Sequence, residues 1–323
     1  MSLSSTAICT LFEGSYHYGV AVLANSLYKN GFRGSFYAGY RGSLPAWANN
    51  AALQDMGWGN GKTLKVKDDF YIHFIPLTTD YHLTNYKPDF MLDLWEGPAI
   101  SADRMIYLDP DITLIVPFAY IEEWIDCGVG VCEDLNSPIE EFNPRRIGWK
   151  EYYKKFDITL TFKNSIYCNG GFAGVNKKDI DFLKLWKNLQ ELMALEIGGL
   201  SKSTFKNAEQ IESAGRYKYY FGKTDQDALN ATVEAYNGTI SYMGKEAMDF
   251  VTGTPLMPHA LGGDKPWLVS PFSFFIKGVR PRIADKKFWE YASGPVNAYS
   301  RNKVSSMNFQ IKIWSFFSRF YSK

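Results

Sequence analysis

The chain has 323 residues, of which 46% are hydrophobic and 21% charged, a composition that is typical of a globular protein and excludes wholesale disorder. The formal net charge of +1 argues against a general nucleic-acid-binding surface. The length allows one large α/β domain or two smaller ones. No apolar run approaches the roughly 18 residues that a membrane span needs.

The first elements along the chain alternate between strand and helix. Apolar residues at helical spacing from Val20 to Leu27 predict a helix that ends near Asn30-Gly31. Short apolar runs predict buried strands at residues 7–12, 35–40 and 70–75. This alternation predicts an α/β fold with a mostly parallel central sheet and helices on both faces. In such sheets, ligands bind beyond the carboxyl ends of the strands.

The rest of the chain continues the alternation but contains two polar stretches without clear periodicity. Residues 136–161 and 201–222 predict insertions, the first a loop or small subdomain and the second a polar segment. The other segments are predicted to be a helix at 90–95, strands at 105–108 and 128–132, a strand at 169–176 after a tight glycine turn, and helices at 180–193 and 225–236.

The cysteines and the amino terminus indicate the compartment. The four cysteines lie in or beside apolar runs and show no CxxC spacing, which predicts buried reduced thiols rather than a zinc site: Cys9, Cys127, Cys132 and Cys168. The first residues lack the basic stretch of a signal peptide. We therefore expect a cytoplasmic protein. Aromatic residues make up 16% of the chain, and an aromatic-rich core explains them more simply than carbohydrate-binding faces.

Residues 271–323 form a tail in which aromatic and basic residues separate at helical spacing. Residues 291–323 contain no acidic side chain. The aromatic face comprises Phe309, Ile313, Phe316, Phe317 and Phe320, and the other face Lys312, Ser315, Ser318, Arg319 and Ser322. Such a helix suits the surface of an anionic membrane. A terminal helix packed on the domain fits the same pattern equally well.

Asp109-Pro110-Asp111 follows the apolar run from Arg104 to Leu108. A carboxylate pair at the end of a buried strand has no packing role, and when ionised it must be solvated, paired or bound to a metal. Carboxylate oxygens suit Mg²⁺ or Mn²⁺, which also coordinate substrate phosphates. Taken alone, the triplet fits a tight turn as well as a metal site.

The run from His259 to Trp267 places an imidazole, a glycine pair and an ammonium group on one short loop. A lone histidine is more often a core or capping residue, and a lone lysine such as Lys265 is usually a solvated surface residue. Pro258 and the glycines Gly262-Gly263 make a helix unfavourable here. The spacing H-x-x-G-x-x-K-P-W is much harder to obtain by chance than any of its parts.

These segments together resemble glycosyltransferase family 8, a retaining group that includes bacterial lipopolysaccharide galactosyltransferases and glycogenin. The resemblance runs from about residue 7 to 270. It is carried by the H-x-x-G-x-x-K-P-W run, by the Asp-x-Asp triplet, by Asn169-Gly170-Gly171 with Val175-Asn176, and by Asp225-Gln226-Asp227 with Asn230. The resemblance implies the GT-A fold of nucleotide-diphospho-sugar transferases, with residues 1–270 as the catalytic domain.

The resemblance also implies roles for individual residues. Asp109, Asp111 and His259 would bind Mn²⁺ or Mg²⁺, and Lys265 with the backbone of Gly262 would bind the donor diphosphate. The residues that would line the sugar pocket are Asn169, Gly170, Asp225 and Gln226. Asp225 and Gln226 are the catalytic candidates: a double displacement needs one of them as nucleophile. A same-face mechanism needs neither, and we favour it because an amide is a weak nucleophile.

Two features depart from the family pattern. Family members often carry an acidic residue just after the first strand, where it contacts uracil. Here the turn is Thr10-Leu11-Phe12-Glu13, so that Glu13 takes that role or the base stacks on Phe12. Lys87 matches a basic residue that the family places near the phosphates, although the match requires a gap.

The sequence therefore predicts a metal-dependent retaining glycosyltransferase. It would move a hexosyl group from a nucleotide diphosphate sugar, with UDP as the expected nucleotide, to a saccharide or glycolipid hydroxyl in surface-glycan or lipopolysaccharide synthesis. One alternative is a non-catalytic glycan- or nucleotide-sugar-binding protein on the same fold. A sugar-nucleotide pyrophosphorylase is less favoured, because residues 10–19 contain no Lys or Arg for a triphosphate.

Overall fold

A computed structural model describes residues 5–205 and 215–320. Nine strands form one sheet: β1 (Thr6–Glu13), β2 (Gly34–Arg41), β3 (Ala52–Asp55), β4 (Asn60–Lys67), β5 (Phe70–Pro76), β6 (Arg104–Leu108), β7 (Val129–Glu133), β8 (Cys168–Asn176) and β9 (Ile240–Met243). Their spatial order is β3-β4-β5-β2-β1-β6-β8-β7-β9. Seven strands run in one direction, and β4 and β8 run in the other.

Helices cover both faces of this sheet: α1 (His17–Lys29), α2 (Lys87–Glu96), α3 (Phe118–Asp126), α4 (Pro144–Lys154), α5 (Ile180–Ile197), α6 (Thr224–Ala235), α7 (Pro271–Ile276), α8 (Ile283–Tyr291) and α9 (Arg301–Phe317). Alternate residues of β1 enter two different apolar cores, as the period of a strand requires. Cys9 and Leu11 join the core formed with α2, α4, α5 and α6, whereas Ile8 and Phe12 join the core formed with α1 and α3. The predicted α/β fold with a mostly parallel sheet is confirmed.

Three details differ from the sequence-based expectation. The β3–β4 hairpin was not predicted, because all four residues of β3 are exposed at the sheet edge and show no apolar alternation. Residues 136–161 contain the regular helix α4. The strand expected at 169–176 is confirmed as β8, but the tight glycine turn expected with it is wrong, since Gly170 and Gly171 lie within the fully buried strand. The second predicted insertion is described only in part, because residues 206–214 lie outside the described residues.

The carboxyl-terminal helices pack on α1. Val22 of α1 shares an apolar cluster with Trp289 of α8 and with Val304 and Ile311 of α9. Asn25 reinforces this contact, because its side-chain amide donates to the carbonyls of Tyr291 at 3.0 Å and Val296 at 2.9 Å. The segment after residue 270 is therefore in contact with the first helix of the sheet domain.

The buried and exposed residues of α9 and the turn after it do not follow the two faces predicted from the sequence. Ser318, expected on the polar face, is buried. The aromatic residues Phe309, Phe316, Phe317 and Phe320 are exposed. The helix thus packs through its aliphatic residues and leaves these phenylalanine rings in solvent. None of the described helices is long and apolar enough to cross a membrane.

The cysteines are free in the structure. Three are buried, as expected, but Cys127 is exposed. The expectation of burial is wrong at Cys127 because this residue ends α3 at the surface, where the helix turns into the loop before β7. No disulfide forms among the described residues.

Candidate active site

A cavity of about 390 Å³ opens at the carboxyl ends of β1 and β6. This is the edge at which open α/β sheets bind ligands. It is lined by residues that the sequence placed far apart: Leu11, Phe12, Glu13, Tyr16, His82, Leu83, Thr84, Lys87, Tyr107, Asp109, Pro110, Asp111, Asn169, Gly170, Gly171, Thr204, Asp225, Gln226, His259, Leu261 and Lys265.

Asp109, Asp111 and His259 meet at one end of this cavity, which we call the triad end. One ligand atom from each of the three residues lies within 4.8 Å of the others. The imidazole Nε2 of His259 is 3.0 Å from Asp111 Oδ1 and 3.8 Å from Asp109 Oδ2. Two carboxylates and an imidazole form a donor set that suits Mn²⁺ or Mg²⁺.

Backbone hydrogen bonds hold the two distant segments of the triad together. Ile112 and His259 form an antiparallel bridge. The N–H of Ala260 donates to the carbonyl of Asp111 at 3.0 Å, and the N–H of Asp109 donates to the carbonyl of Gly171 at 2.8 Å. Gly171 has to lack a side chain, because a Cβ there would lie 2.6 Å from the His259 ring.

Lys265 lies beside the triad. Its ammonium donates to Asp111 and, at 2.8 Å, to the carbonyl of Ala260, and it faces the ring of Tyr16 at 5.6 Å. Burial opposes ionisation of Asp111, but the charges of His259 and Lys265 outweigh it and hold the pKa of that carboxyl well below its usual value. The ammonium is therefore fixed next to the carboxylates.

Lys87 connects the triad to Asp225 and Gly170. It is the first residue of α2 and only 1% exposed. Its Nζ is 3.4 Å from Asp109 Oδ1, and it donates to Asp225 Oδ2 at 3.0 Å and to the carbonyl of Gly170 at 2.7 Å. Burial disfavours the charged ammonium, but the two carboxylates outweigh burial and raise the pKa of Lys87.

Asn169, Gly170, Asp225 and Gln226 also line the cavity, and we call this group the amide end. Asn169 is fixed through its amide, which donates to Asp134 at 2.6 Å. A Cβ at Gly170 would lie 2.8 Å from Asp225 Oδ2, so only glycine allows this approach. The side-chain nitrogen of Gln226 is buried and finds no hydrogen-bond partner among the described residues. It is available to a ligand.

Of the residues expected to contact the base and phosphates, some line the cavity but are engaged elsewhere, and others do not line it. Glu13 lines the cavity, but its carboxylate pairs with Arg41 at 2.9 Å. Phe12 is 3% exposed and its ring stacks on Tyr40, so that the ring belongs to the core. Thr10 is fully buried and is not among the cavity-lining residues. Gly262 adopts the left-handed backbone, with φ of 81°, in the loop between His259 and Lys265.

Several cavity residues were missed by sequence reasoning. Tyr16, His82 and Thr84 line the cavity, and the hydroxyl of Tyr107 donates to Asp109 at 2.8 Å. Burial lowers the pKa of His82, which favours the neutral imidazole. Tyr16 follows β1 and His82 follows β5. Their positions just beyond the carboxyl ends of parallel strands were the available signal.

No protein-family model matches this chain, and no curated protein matches it. Several solved structures are similar to it. The apo structure of the bifunctional glycosyltransferase WbbM matches 95% of this chain and 52% of its own length, with 11% identity and a TM-score of 0.51. The glycosyltransferase GlyE of Streptococcus pneumoniae TIGR4 matches 100% of this chain and 65% of its own, with 14% identity and a TM-score of 0.50.

The galactosyltransferase LgtC, in complex with donor and acceptor sugar analogs, matches 92% of this chain and 98% of its own, with 18% identity and a TM-score of 0.48. The chain spans about half of WbbM and just under two thirds of GlyE. The likeness to these two proteins shows that the chain has the α/β fold found in GT-A-type glycosyltransferases.

Removal of the Lys87 charge tests the link between the two ends. In Lys87→Met, Asp109 and Asp225 lose their shared cation. Because an unpaired buried charge is costly, we expect the free energy of unfolding, measured in urea, to fall by about 3 kcal/mol. The matched control is Lys184→Met, which removes an exposed lysine 3.1 Å from Asp181 and should have a much smaller effect. Equal losses in the two variants would contradict this role.

Proposed function

We propose that this chain is a metal-dependent retaining glycosyltransferase. It moves a hexosyl group from a nucleotide diphosphate sugar, with UDP as the preferred nucleotide, to a saccharide or glycolipid hydroxyl. The observation that carries the proposal is the meeting of Asp109, Asp111, His259 and Lys265 in one cavity, at the edge of the sheet where this fold class binds ligands. The resemblance to glycosyltransferase family 8 supports the choice of reaction.

The charges in the cavity favour a metal cofactor. With Glu13 paired to Arg41 and His259 in the neutral form in which an imidazole binds a metal, three carboxylates face two ammonium groups in the cavity: Asp109, Asp111 and Asp225 against Lys87 and Lys265. The formal charge is then negative, which disfavours a diphosphate. A divalent cation held by Asp109, Asp111 and His259 makes the site positive, and when bound it neutralises charge that develops on the departing nucleoside diphosphate.

The protein's own groups divide the remaining work. Lys265 is held beside the triad end, where it can pair with the donor diphosphate. At the amide end, the Asp225 carboxylate can accept hydrogen bonds from sugar hydroxyls, and the Gln226 amide can accept or donate them. Lys87 keeps Asp225 and the triad at a fixed separation through its contacts to both. A donor would therefore lie across the cavity, with its diphosphate near Lys265 and its sugar near Gln226.

A same-face mechanism accounts for retention better than a covalent intermediate. Asp225, the stronger of the two candidate nucleophiles, has its Oδ2 engaged by Lys87, which lowers its nucleophilicity. Gln226 is a neutral amide and a weak nucleophile. In the same-face mechanism the departing phosphate oxygen takes the proton of the acceptor hydroxyl, so that the protein needs only to orient the two substrates.

The alternatives are less well supported. A non-catalytic glycan- or nucleotide-sugar-binding protein has no need for an intact carboxylate–imidazole triad. A pyrophosphorylase needs basic groups for a triphosphate after the first strand, and residues 10–19 contain no Lys or Arg. At that position the structure instead has Tyr16 against Trp267 at a ring separation of 5.3 Å.

The carboxyl-terminal helices supply a surface for an anionic membrane. Exposed apolar side chains lie on and just after α7 and α9, two helices that pack together through Phe272 and Trp314, with ring centres 5.0 Å apart. The exposed residues are Phe272, Ile276, Val279, Phe309, Phe316, Phe317 and Phe320. Lys312 and Arg280 are exposed in the same two segments of the chain. Apolar rings with basic neighbours suit the interface of an anionic bilayer, such as the inner face of a membrane that carries a glycolipid acceptor.

Nucleotide binding tests the donor site first. Calorimetric titration with UDP and then GDP, each with and without Mn²⁺, should show manganese-dependent UDP binding by the wild type. The variant Asp109→Ala/Asp111→Ala should lose it, whereas Asp181→Ala, which removes an exposed carboxylate, should not. Preference for GDP would overturn the base assignment alone. A folded protein that binds neither nucleotide would favour the non-catalytic alternative.

The variant Gln226→Ala tests the mechanism. A same-face reaction should survive loss of the amide with a drop in kcat of about 1000-fold or less, the upper size expected for one lost hydrogen-bond donor. Loss of a covalent nucleophile typically costs about 10⁴-fold or more. Transfer is measured by release of UDP in the presence of acceptor. Complete loss of transfer with intact donor binding would count against the same-face mechanism.

Vesicle flotation tests the membrane surface. We expect the protein to bind vesicles that contain anionic phospholipid and to bind neutral phosphatidylcholine vesicles weakly. Phe316→Ser/Phe320→Ser should reduce binding to anionic vesicles by about tenfold or more, since two apolar rings no longer enter the interface. The control, Phe142→Ser/Leu195→Ser, changes two exposed apolar residues elsewhere. Unchanged binding by the first variant would reject the surface.

A further inference from the structure

An ion pair between Arg145 and the buried Asp227 ties α4 to the first turn of α6. Asp227 is completely buried. Its Oδ1 accepts hydrogen bonds from the Arg145 guanidinium and, at 2.7 Å, from the Tyr167 hydroxyl. Its Oδ2 accepts the backbone N–H of Lys223 at 2.9 Å. One carboxylate therefore joins α4, the residue before β8 and the residue before α6.

Arg145 is held in one orientation by aromatic rings. Its guanidinium lies 5.5 Å from the ring centre of Trp149 and 5.0 Å from that of Tyr167, and it donates to the Tyr167 hydroxyl at 3.1 Å. Burial disfavours its charge, but Asp227 outweighs burial and raises the pKa of Arg145. Burial raises the pKa of Asp227 to about 6. Both partners are thus mainly charged at neutral pH.

This cluster lies directly behind the residues of the amide end. Successive helical residues are rotated by about 100°, so that Asp227 points away from the cavity while Asp225 and Gln226 line it. Tyr167 stands two residues before Asn169. The cluster therefore fixes the first turn of α6 relative to the start of β8, and these two segments carry the whole amide end.

We propose that Arg145 and Asp227 are positioning residues that set the placement of Asp225 and Gln226 against the donor sugar. This inference rests on the proposed function, because it assigns the sugar to the amide end. It makes the insertion that carries α4 a part of the active-site scaffold. Arg145 and Asp227 do not touch the substrate themselves.

The same two helices carry a second buried ion pair that serves as a control. Arg146 pairs with Glu234, and its guanidinium also donates to the carbonyl of Ile166 at 2.9 Å. Glu234 lies nine residues beyond Asp225, which corresponds to about 14 Å along a helix axis. If both pairs only hold α4 against α6, their removal should have equivalent effects on transfer.

The experiment compares Arg145→Met and Asp227→Asn with Arg146→Met and Glu234→Gln. For the first two variants we expect kcat to fall by about 10- to 100-fold, because small displacements of orienting groups are costly. In the same two variants, the affinity for UDP in the presence of Mn²⁺ should change by less than about threefold. UDP-hexose should then bind no more tightly than UDP, because its sugar is no longer held. The two control variants should lose stability in urea while keeping kcat within about threefold of the wild type.

Hydrogen exchange gives a readout that does not depend on activity. Amides of residues 224–227 should exchange faster in Asp227→Asn than in Glu234→Gln. Equal losses of kcat in the two pairs, or equal exchange at these amides, would overturn the inference. A wild type that binds no nucleotide sugar would instead refute the proposed function, and the exchange comparison would still decide whether the ion pair positions the first turn of α6.

Discussion

Backbone pairing between two segments far apart in sequence determines where the candidate metal ligands lie. The chain after Asp111 runs antiparallel to the chain around His259: Thr113 donates to Pro258 at 3.1 Å and Ile115 to Leu256 at 2.9 Å. This pairing carries the imidazole to the carboxylates. A close approach supports it from the other side, because a Cβ at Gly19 would lie 2.1 Å from the carbonyl oxygen of Pro110. The turn between the two aspartates is thus held against both α1 and the His259 loop.

The charges in the cavity are arranged so that each carboxylate has a nearby cation before any ligand binds. Lys265 faces Asp111, and Lys87 lies between Asp109 and Asp225. Buried charges persist only when they are paired, so these lysines make it possible to keep three carboxylates in one partly enclosed cavity. The same arrangement leaves a small negative excess for a divalent cation.

Local apolar patterns and the motifs shared with a known family predicted most of the central strands and the position of Asp109. Apolar runs placed β1, β2, β5 and β6, and the position of Asp109 just after a strand placed it at the ligand-binding edge. The contact between His259 and the aspartates was predicted from the resemblance, since neither segment contains a signal for the other. The role of Lys87 was predicted only through a match that requires a gap, because its contacts depend on where α2 packs. His82 was not predicted, because it lies in a segment without periodicity. The position of Thr10 along β1 explains why it does not line the cavity: it lies three residues before the strand ends at Glu13 and is enclosed by the core, whereas Leu11 and Phe12 lie nearer the carboxyl end.

The two ends of the cavity are built by different physical means, and this difference affects how each can vary. Backbone hydrogen bonds between residues 111–115 and 256–260 hold the triad end, and substitutions change such bonds little as long as the chain keeps its path. Side-chain ion pairs, Lys87 with Asp225 and Arg145 with Asp227, hold the amide end. Because no contact joins the Arg145–Asp227 pair to the described triad residues, a single substitution in that pair can change the placement of Asp225 and Gln226 while the triad stays intact. A protein built in this way can keep one mode of diphosphate binding while the group held at the amide end varies.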